Sequence, residues 1–203
     1  MLQVVYFNIP HFINKSALLK RSCAREIGYH HMCRFHAKSV YEQPILGRLQ
    51  YVWRLDDHSF ITRQISYDIF REMRDRRIQY GFKNVVRDGQ RCVIGLWPAV
   101  NNYMRQRSII PKFKWPRYRI FYNNFEISDL DVWRSPQYRD YIDYIDRLGG
   151  IYYHRWGDAP IKTIAVTLFL FKNYTHHFKD IGYIHGRRDM LRWKDAMQKQ
   201  GVM

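Results

Sequence analysis

The sequence YVWRLDDH at residues 51–58 joins a short run rich in β-forming side chains to two adjacent acids, Asp56 and Asp57. A run of this kind, closed by residues that favour turns, predicts a buried strand over its first five residues. Similar short runs at residues 4–7 and 151–153 predict two more strands. Helical patterns separate these runs, so the chain is predicted to adopt an α/β fold.

Two of the helical patterns are amphipathic. Residues 16–26 are predicted to form one helix, and Tyr67, Phe70 and Met73 share the apolar face of a second. The opposite face of that second helix is charged. Its polar residues are Arg71, Arg74, Asp75 and Arg76.

The clearest helix is predicted for residues 136–148. Ser135 can cap its first turn, and Pro136 suits its first position. Gly149 and Gly150 would end it by allowing a left-handed turn. The face that this helix would bury consists of Tyr138, Tyr141, Ile142 and Ile145.

Length and composition favour one globular unit. The chain has 203 residues, of which 46% are hydrophobic and 17% aromatic, and this suffices for one sizeable core. No linker divides it, so residues 1–203 are predicted to form a single domain. The longest apolar run, residues 164–171, is far shorter than the ~20 residues that cross a bilayer. The first residues also lack the pattern of a secretory signal.

The three cysteines are Cys23, Cys33 and Cys92. Their spacing does not match a metal-binding motif, and a bridge between two would leave the third unpaired. We therefore predict that they are small buried side chains or free thiols.

The chain is strongly basic, with a formal charge of +16 from 34 Lys and Arg residues against 18 Asp and Glu residues. Part of this charge is concentrated in a basic cluster interleaved with aromatic residues. The cluster consists of Arg105, Arg107, Lys112, Lys114, Arg117 and Arg119. Such patterns occur in nucleic-acid grooves, but also in solvated faces and in loops that bind phosphate or an acidic glycan. Because the chain has no nucleic-acid-binding motif, nucleic acid is not the expected partner.

The acids Asp56 and Asp57 follow a predicted strand, which is where enzymes that use nucleotide sugars bind a divalent metal. Carboxylate oxygens suit hard cations such as Mn²⁺ or Mg²⁺, and the metal neutralises a diphosphate. The alternative is structural, because aspartates in turns also bond to their own backbone.

Four further segments point the same way. They are GYHHMCRF at 28–35, NFEISDL at 124–130, GGIYYHRWGDAP at 149–160 and DIGYIH at 180–185. Together with residues 51–58, they resemble blocks of glycosyltransferase family 15, the α-1,2-mannosyltransferases, in the same order and spacing. The chain is therefore identified as a member of this family.

The resemblance implies a GT-A-like fold, in which a mixed sheet is flanked by helices. It also implies a retaining enzyme that moves mannose from GDP-mannose to the 2-hydroxyl of an α-mannoside, in glycoprotein or glycolipid glycan assembly. The metal of the family is Mn²⁺, and its members reside in the Golgi.

Site residues follow from the resemblance position by position. His185 corresponds to the metal-binding histidine, with Asp56 as the second metal ligand. Glu126 corresponds to the carboxylate that acts as nucleophile or stabilises the sugar cation, and Asp158 is the second catalytic candidate. Each also has an ordinary structural interpretation, as a loop histidine, a turn residue or a cap.

The donor-binding candidates are Tyr29, Arg34, Asp56 and Asp57. Tyr29 corresponds to a tyrosine that reaches the donor phosphate, and Arg34 would pair with the diphosphate or with a nearby acid. Donor and product are both α-glycosides, so the reaction retains configuration. Retention needs either a carboxylate nucleophile, for which Glu126 is the candidate, or a front-face attack guided by the leaving phosphate. The sequence leaves both open.

This sequence departs from the family in two ways. Asp56, Asp57 and His58 stand where the family has Glu-Pro-Asp, so the second acid moves and an imidazole enters. Most of the family's N-terminal nucleotide-binding β-α-β portion is also expected to be missing, together with the N-terminal anchor that is the expected link to a membrane. The alternative function is a catalytically silent member that binds glycans or acidic ligands through its basic surface.

Overall fold

The computed structural model describes residues 4–20, 23 and 26–199. Six strands and eight α-helices are present in this part of the chain. The strands are β1 (Tyr51–Leu55), β2 (Ser59–Ile61), β3 (Tyr80–Arg87), β4 (Arg119–Asp129), β5 (Thr175–His177) and β6 (Tyr183–His185). The helices are α1 (Ile27–Ala37), α2 (Ile69–Asp75), α3 (Leu96–Arg107), α4 (Leu130–Arg134), α5 (Pro136–Arg147), α6 (Gly150–His154), α7 (Asp158–Phe169) and α8 (Arg187–Lys199).

The central sheet has the strand order β1-β4-β3-β5. The β1–β4 and β4–β3 pairs are antiparallel and the β3–β5 pair is parallel, so the sheet is mixed. Strands β2 and β6 form a separate antiparallel pair. The strand predicted from the sequence ahead of Asp56 is confirmed as β1.

Helices pack on both faces of the central sheet and create two apolar cores. The larger core joins α1, α5 and α7 to residues such as Tyr80 and Phe121 of the sheet. The smaller core joins Ile69 and Met73 of α2 to Phe125. Helix α7 is apolar almost all round and is buried along nearly its whole length, which makes it the innermost helix.

The helix predicted for residues 136–148 is confirmed as α5, and its four predicted core residues are buried. Ser135 accepts a hydrogen bond from the Tyr138 backbone N–H, as expected of a cap. The helix around Tyr67 is also confirmed, although it begins at Ile69. Its cap is Asp68, whose carboxylate accepts hydrogen bonds from two backbone N–H groups.

Two predicted strands are wrong. Residues 4–7 belong to no strand, and residues 151–153 lie in helix α6. The short β-forming run at 151–153 could not be distinguished from one buried helical turn by composition. Gly149 does adopt the predicted left-handed turn (φ 69°), but a new helix follows it directly.

The helix predicted for residues 16–26 is replaced by a 3-10 helix at Lys15–Lys20. Residues 21, 22, 24 and 25 of that prediction lie outside the described part of the chain. The cysteine prediction is wrong for two residues, because Cys23 and Cys92 form a disulfide. Cys33 is a buried free thiol, as predicted. Within the described residues, no helix is long and apolar enough to cross a membrane.

Gly150, at the start of α6, packs closely against the ring of Trp156. A Cβ at Gly150 would lie 2.2 Å from a ring carbon of Trp156, and the indole N–H of Trp156 is bonded to the Ile94 carbonyl oxygen, so the ring cannot easily move. We expect Gly150→Ala to lower the free energy of unfolding by about 1–3 kcal/mol. Urea denaturation monitored by circular dichroism measures the change.

Gly28→Ala is the matched control. A Cβ at Gly28 meets no atom within 4 Å, and the residue is helical in α1. This substitution should raise the free energy of unfolding, by at most about 0.5–1 kcal/mol. Equal stability of the Gly150→Ala variant and the wild type would contradict the packing described.

Candidate active site

An open cleft of about 570 Å³ lies beside the central strand β4, at the point where β1 ends. Strand β1 stops at Leu55, opposite Phe125, and the next backbone bond joins the Asp56 N–H to the Asn124 carbonyl oxygen. Among the described residues, β4 therefore has no partner on this side before Asn124. Side chains from both faces of the strand reach the cleft, including those of Tyr122 and Asn123.

An irregularity in the sheet falls at the same place. Phe82 of β3 pairs with Glu126, and Asn84 pairs with Tyr122, so one residue of β3 faces three residues of β4. Such bulges redirect side chains. Helix α7 begins on the other wall of the cleft and contributes Asp158 from its first turn.

Arg54 links the two acids of the cleft. Its guanidinium donates to Asp56 Oδ1 at 2.8 Å and forms a second, short ion pair with Asp158 Oδ2. Asn123 Nδ2 also donates to Asp158 Oδ2, at 2.7 Å. Burial alone would raise the pKa of Asp158, but the neighbouring charge of Arg54 holds that pKa below its ordinary value. Asp158 is therefore ionised and fixed in place.

Glu126 does not line the cleft. Its carboxylate is 1% exposed and forms an ion pair with Lys162, while the Tyr80 hydroxyl donates to its other oxygen at 3.1 Å. Lys162 lies over the rings of Trp133 and Tyr41, at 4.5 and 5.2 Å from their centroids. Burial lowers the pKa of Lys162, and the Glu126 charge opposes that effect. The predicted nucleophile is thus held behind the cleft.

His185 and Asp56 both line the cleft and could together hold a metal. The Nδ1 atom of His185 is buried and has no hydrogen-bond partner in the structure, which fits a nitrogen left open for a ligand. The His185 ring stands edge-on against Tyr122. Within the described residues, no three histidine, cysteine or acidic side chains are grouped closely enough to bind a metal by themselves. A metal held by His185 and Asp56 would need further ligands besides these two side chains.

Tyr29 lines the cleft beneath Arg155, whose guanidinium lies 5.3 Å from the centre of the tyrosine ring. Burial raises the pKa of Tyr29 well above its ordinary value, so the hydroxyl keeps its proton at neutral pH. Arg155 also lies 3.8 Å from Asp88 Oδ1. This side of the cleft therefore offers hydrogen-bond donors to an anionic ligand.

Two of the residues predicted to bind the sugar donor do not line the cleft. Arg34 forms a bidentate pair with Asp146, with both nitrogen–oxygen distances at 2.8 Å, and does not line the cleft. Its pairing with a nearby acid, one of the two predicted outcomes, is therefore what the structure contains. Asp57 is 90% exposed and bonds to the backbone and ring of His58, as in an ordinary turn. A donor-binding role for either residue stays a prediction.

Sequence reasoning missed three side chains of this region. Arg54 belongs to the opening segment, but its link to Asp158 crosses 104 positions and has no local signal. Asn123 precedes the segment that resembles the family. Lys162 could have been noticed, because a single lysine in the apolar helix α7 requires a buried acid as partner.

The sequence is similar to known proteins over nearly its whole length. A family model described as glycolipid 2-alpha-mannosyltransferase matches residues 5–200. Alpha-1,2 mannosyltransferase KTR1 of Saccharomyces cerevisiae is 36% identical over 171 residues, which cover 78% of this chain and 44% of that protein. Glycolipid 2-alpha-mannosyltransferase of the same yeast is 32% identical over 200 residues, which cover 89% of this chain and 45% of that protein. The matched part of this chain covers less than half the length of these curated relatives.

The structure is similar over most of its length to solved structures, two of which contain GDP. Ktr4p of S. cerevisiae in complex with GDP has a TM-score of 0.82 and 32% identity, over 88% of this chain and 52% of that chain. The Mn/GDP form of core-mannan synthase A from Aspergillus fumigatus has a TM-score of 0.80 and 31% identity, over 87% and 55%. The GT-A-like fold class predicted from the sequence is confirmed.

The Lys162–Glu126 pair predicts a specific pattern of stabilities. Lys162→Met would leave an uncompensated carboxylate in the core and should cost about 3–5 kcal/mol of unfolding free energy. Adding Glu126→Gln removes that charge, so the double variant should be more stable than Lys162→Met alone. Urea denaturation of the wild type, both single variants and the double variant measures the coupling.

Lys172→Met provides the control, because Lys172 is exposed. This variant should stay within about 0.5 kcal/mol of the wild type. A double variant less stable than Lys162→Met would show that the two residues do not form an ion pair.

Proposed function

Because this chain belongs to the glycolipid 2-alpha-mannosyltransferase family, we propose that it is a retaining α-1,2-mannosyltransferase. It moves mannose from GDP-mannose to the 2-hydroxyl of an α-mannoside in glycoprotein or glycolipid glycan assembly. Residues 1–203 act as one catalytic domain, and the site of action is the Golgi lumen. The observation that carries this proposal is the cleft itself, where four predicted residues meet: Tyr29, Asp56, Asp158 and His185.

Mn²⁺ is the proposed metal, since the Aspergillus relative was solved in a Mn/GDP form. His185 and Asp56 would hold the metal, which supplies positive charge against the donor diphosphate. Imidazole nitrogen and carboxylate oxygen are ligand types that Mn²⁺ accepts. Tyr29, protonated at neutral pH, would donate a hydrogen bond to a phosphate oxygen. Arg155 above its ring would add a fixed positive charge on the same side.

The two candidate carboxylates take different roles in this proposal. A nucleophile has to reach the anomeric carbon, but Glu126 is closed off by Lys162 and Tyr80. We therefore favour front-face attack guided by the leaving phosphate over a covalent intermediate on Glu126. Asp158 lines the cleft as an ionised carboxylate and would stabilise positive charge that develops on the sugar.

In this proposal Glu126 does not contact the substrate and acts through the residues that line the cleft. Its pair with Lys162 joins β4 to α7, the elements that carry Asn123 and Asp158. It is thus a positioning residue for the wall that faces the sugar. The alternative, a catalytically silent member that binds glycans or acidic ligands, rests on the formal charge of +16.

Metal and nucleotide binding test the donor site. The described residues supply two candidate protein ligands, so Mn²⁺ alone should bind weakly to the chain and far more tightly when GDP is present. We expect His185→Ala to weaken Mn²⁺–GDP binding by about 10–100-fold. Isothermal calorimetry measures both affinities. The control is His11→Ala at an exposed position outside the cleft, and an unchanged affinity in His185→Ala would refute the assignment.

Transfer of mannose to methyl α-mannoside tests the chemistry. Asp158→Asn should lower kcat by about 10²-fold or more, because it removes charge stabilisation at the transition state. Glu126→Gln should keep kcat within about tenfold of the wild type while it lowers stability. NMR of the product reports its anomeric configuration.

A much lower kcat in Glu126→Gln than in Asp158→Asn would instead support Glu126 as the nucleophile. A wild-type chain that binds Mn²⁺ and GDP but transfers no mannose would favour the silent binding protein.

A further inference from the structure

The cleft has a positively charged rim where β3 ends and β4 begins. Arg87 and Arg119 are direct partners in the antiparallel register of these strands. Their side chains leave the same face of the sheet, and both residues are exposed. Two like charges placed directly opposite each other destabilise a strand pair. The arrangement therefore has an energetic cost, which a bound anion would offset.

Two more arginines lie on the chain segments that leave β3 and enter β4. Arg117 precedes β4, and Arg91 lies in the 3-10 helix Gln90–Cys92 that follows β3. The Asp88 N–H donates to the Tyr118 carbonyl oxygen at 2.7 Å and holds the two chain segments together. Arg91 and Arg117 are exposed as well. The four residues Arg87, Arg91, Arg117 and Arg119 form what we term the arginine patch.

Carboxylates do not neutralise this patch. None of its four residues takes part in the ion pairs found among the described residues. Asp88 is the acid adjacent to Arg87, but its carboxylate is bonded to the Gly89 N–H and lies beside Arg155. The patch is therefore a concentrated positive charge open to solvent.

The fold divides the basic cluster that the sequence shows between residues 105 and 119. Arg107 is paired with Asp140, and Lys112 lies over the ring of Phe171. Those cations are thus engaged within the protein, away from the cleft. Arg119 is instead paired across the sheet with Arg87, which lies 32 positions earlier in the chain.

The arginine patch is continuous with the cleft, because Arg87 itself lines the cleft wall. Along β4, Arg119 lies three residues before Tyr122, which corresponds to roughly 10 Å. The ring of Tyr122 contacts His185, the proposed metal ligand. Because residues three apart on a strand point to opposite faces, an anion at the patch would lie at least about 10 Å from the proposed metal end of the cleft.

We propose that the arginine patch binds a phosphate group carried by the acceptor glycan, so that phosphorylated mannosides are preferred over neutral ones. This inference rests on the proposed function. The donor diphosphate is assigned to the His185 end, and the separation suits a group that lies beyond the reacting sugar. Guanidinium groups bind phosphate oxygens in bidentate fashion, and paired arginines are well matched to one phosphate.

Binding of mannose 6-phosphate to the full chain tests the proposal, with methyl α-mannoside as the neutral probe. We expect mannose 6-phosphate to bind more tightly, and Arg87→Gln/Arg119→Gln to weaken its binding by about 10-fold or more. Arg71→Gln/Arg74→Gln removes the same charge from exposed positions on α2, outside the cleft, and should change the affinity less than about twofold. Calorimetry at low salt measures all affinities.

The affinity for GDP with Mn²⁺, measured on the same variants, separates this proposal from the proposed function. Unchanged GDP affinity in Arg87→Gln/Arg119→Gln supports a separate acceptor site. An equal loss of GDP and mannose 6-phosphate affinity would assign the patch to the donor and overturn the proposal. If GDP does not bind at all but mannose 6-phosphate depends on the patch, the phosphate site stands and the donor assignment fails.

Three other results would also overturn it. One is equal affinity for mannose 6-phosphate and methyl α-mannoside. Another is an equal loss in the patch variant and the α2 variant, which would indicate an effect of net charge alone. The third is patch-dependent binding to phosphatidylserine vesicles or to a single-stranded oligonucleotide without binding of mannose 6-phosphate, which would assign the surface to a membrane or to nucleic acid.

Discussion

The bridge that Arg54 makes between Asp56 and Asp158 is the interaction on which the cleft depends. Asp56 follows the end of β1, and Asp158 begins α7, so the guanidinium joins the sheet to the most buried helix. Two carboxylates facing one cleft would repel each other, and burial would favour the protonated form of Asp158. The shared cation keeps Asp158 ionised and fixes the positions of both carboxylates. A cleft that receives a metal and a sugar cation needs this negative charge already in place.

Local sequence signals predicted the elements whose formation depends on few partners. The cap at Ser135, the proline after it and the apolar face of α5 all belong to one segment, and the helix forms as predicted. Strand β1 likewise follows from its composition and the turn-forming acids. The strand prediction for residues 151–153 was wrong because a buried helical turn and a short strand can have the same composition. The tertiary packing of this segment, which includes the close approach of Gly150 to Trp156, is not visible in its composition.

Four of the candidate site residues that follow from the family resemblance lie together in the cleft, and each is close to the end of its element. Tyr29, Asp56, Asp158 and His185 lie near the ends of α1, β1, α7 and β6, and they meet there. Glu126 lies inside β4, where the direction of a side chain depends on the pleat and on the irregularity opposite Lys83. Neither can be inferred from one sequence. The disulfide between Cys23 and Cys92 could not be inferred from the sequence either, since the spacing of cysteines does not determine their pairing.

The charges of this region fall into three zones that follow from one strand. The middle of β4 holds the Glu126–Lys162 pair, which is neutral as a unit and excluded from water. Before it, Asn123 contacts the ionised Asp158, so the floor of the cleft is negative although Arg54 balances part of it. At its start, Arg119 faces Arg87 in solvent. A cation is thus favoured on the floor and an anion at the rim. The four residues from Asn123 back to Arg119 place the two zones roughly 13 Å apart along the strand. The same strand that orders the fold therefore sets the polarity of the site, in which the metal-bound diphosphate of the donor would lie at the floor and the phosphate of the acceptor at the rim.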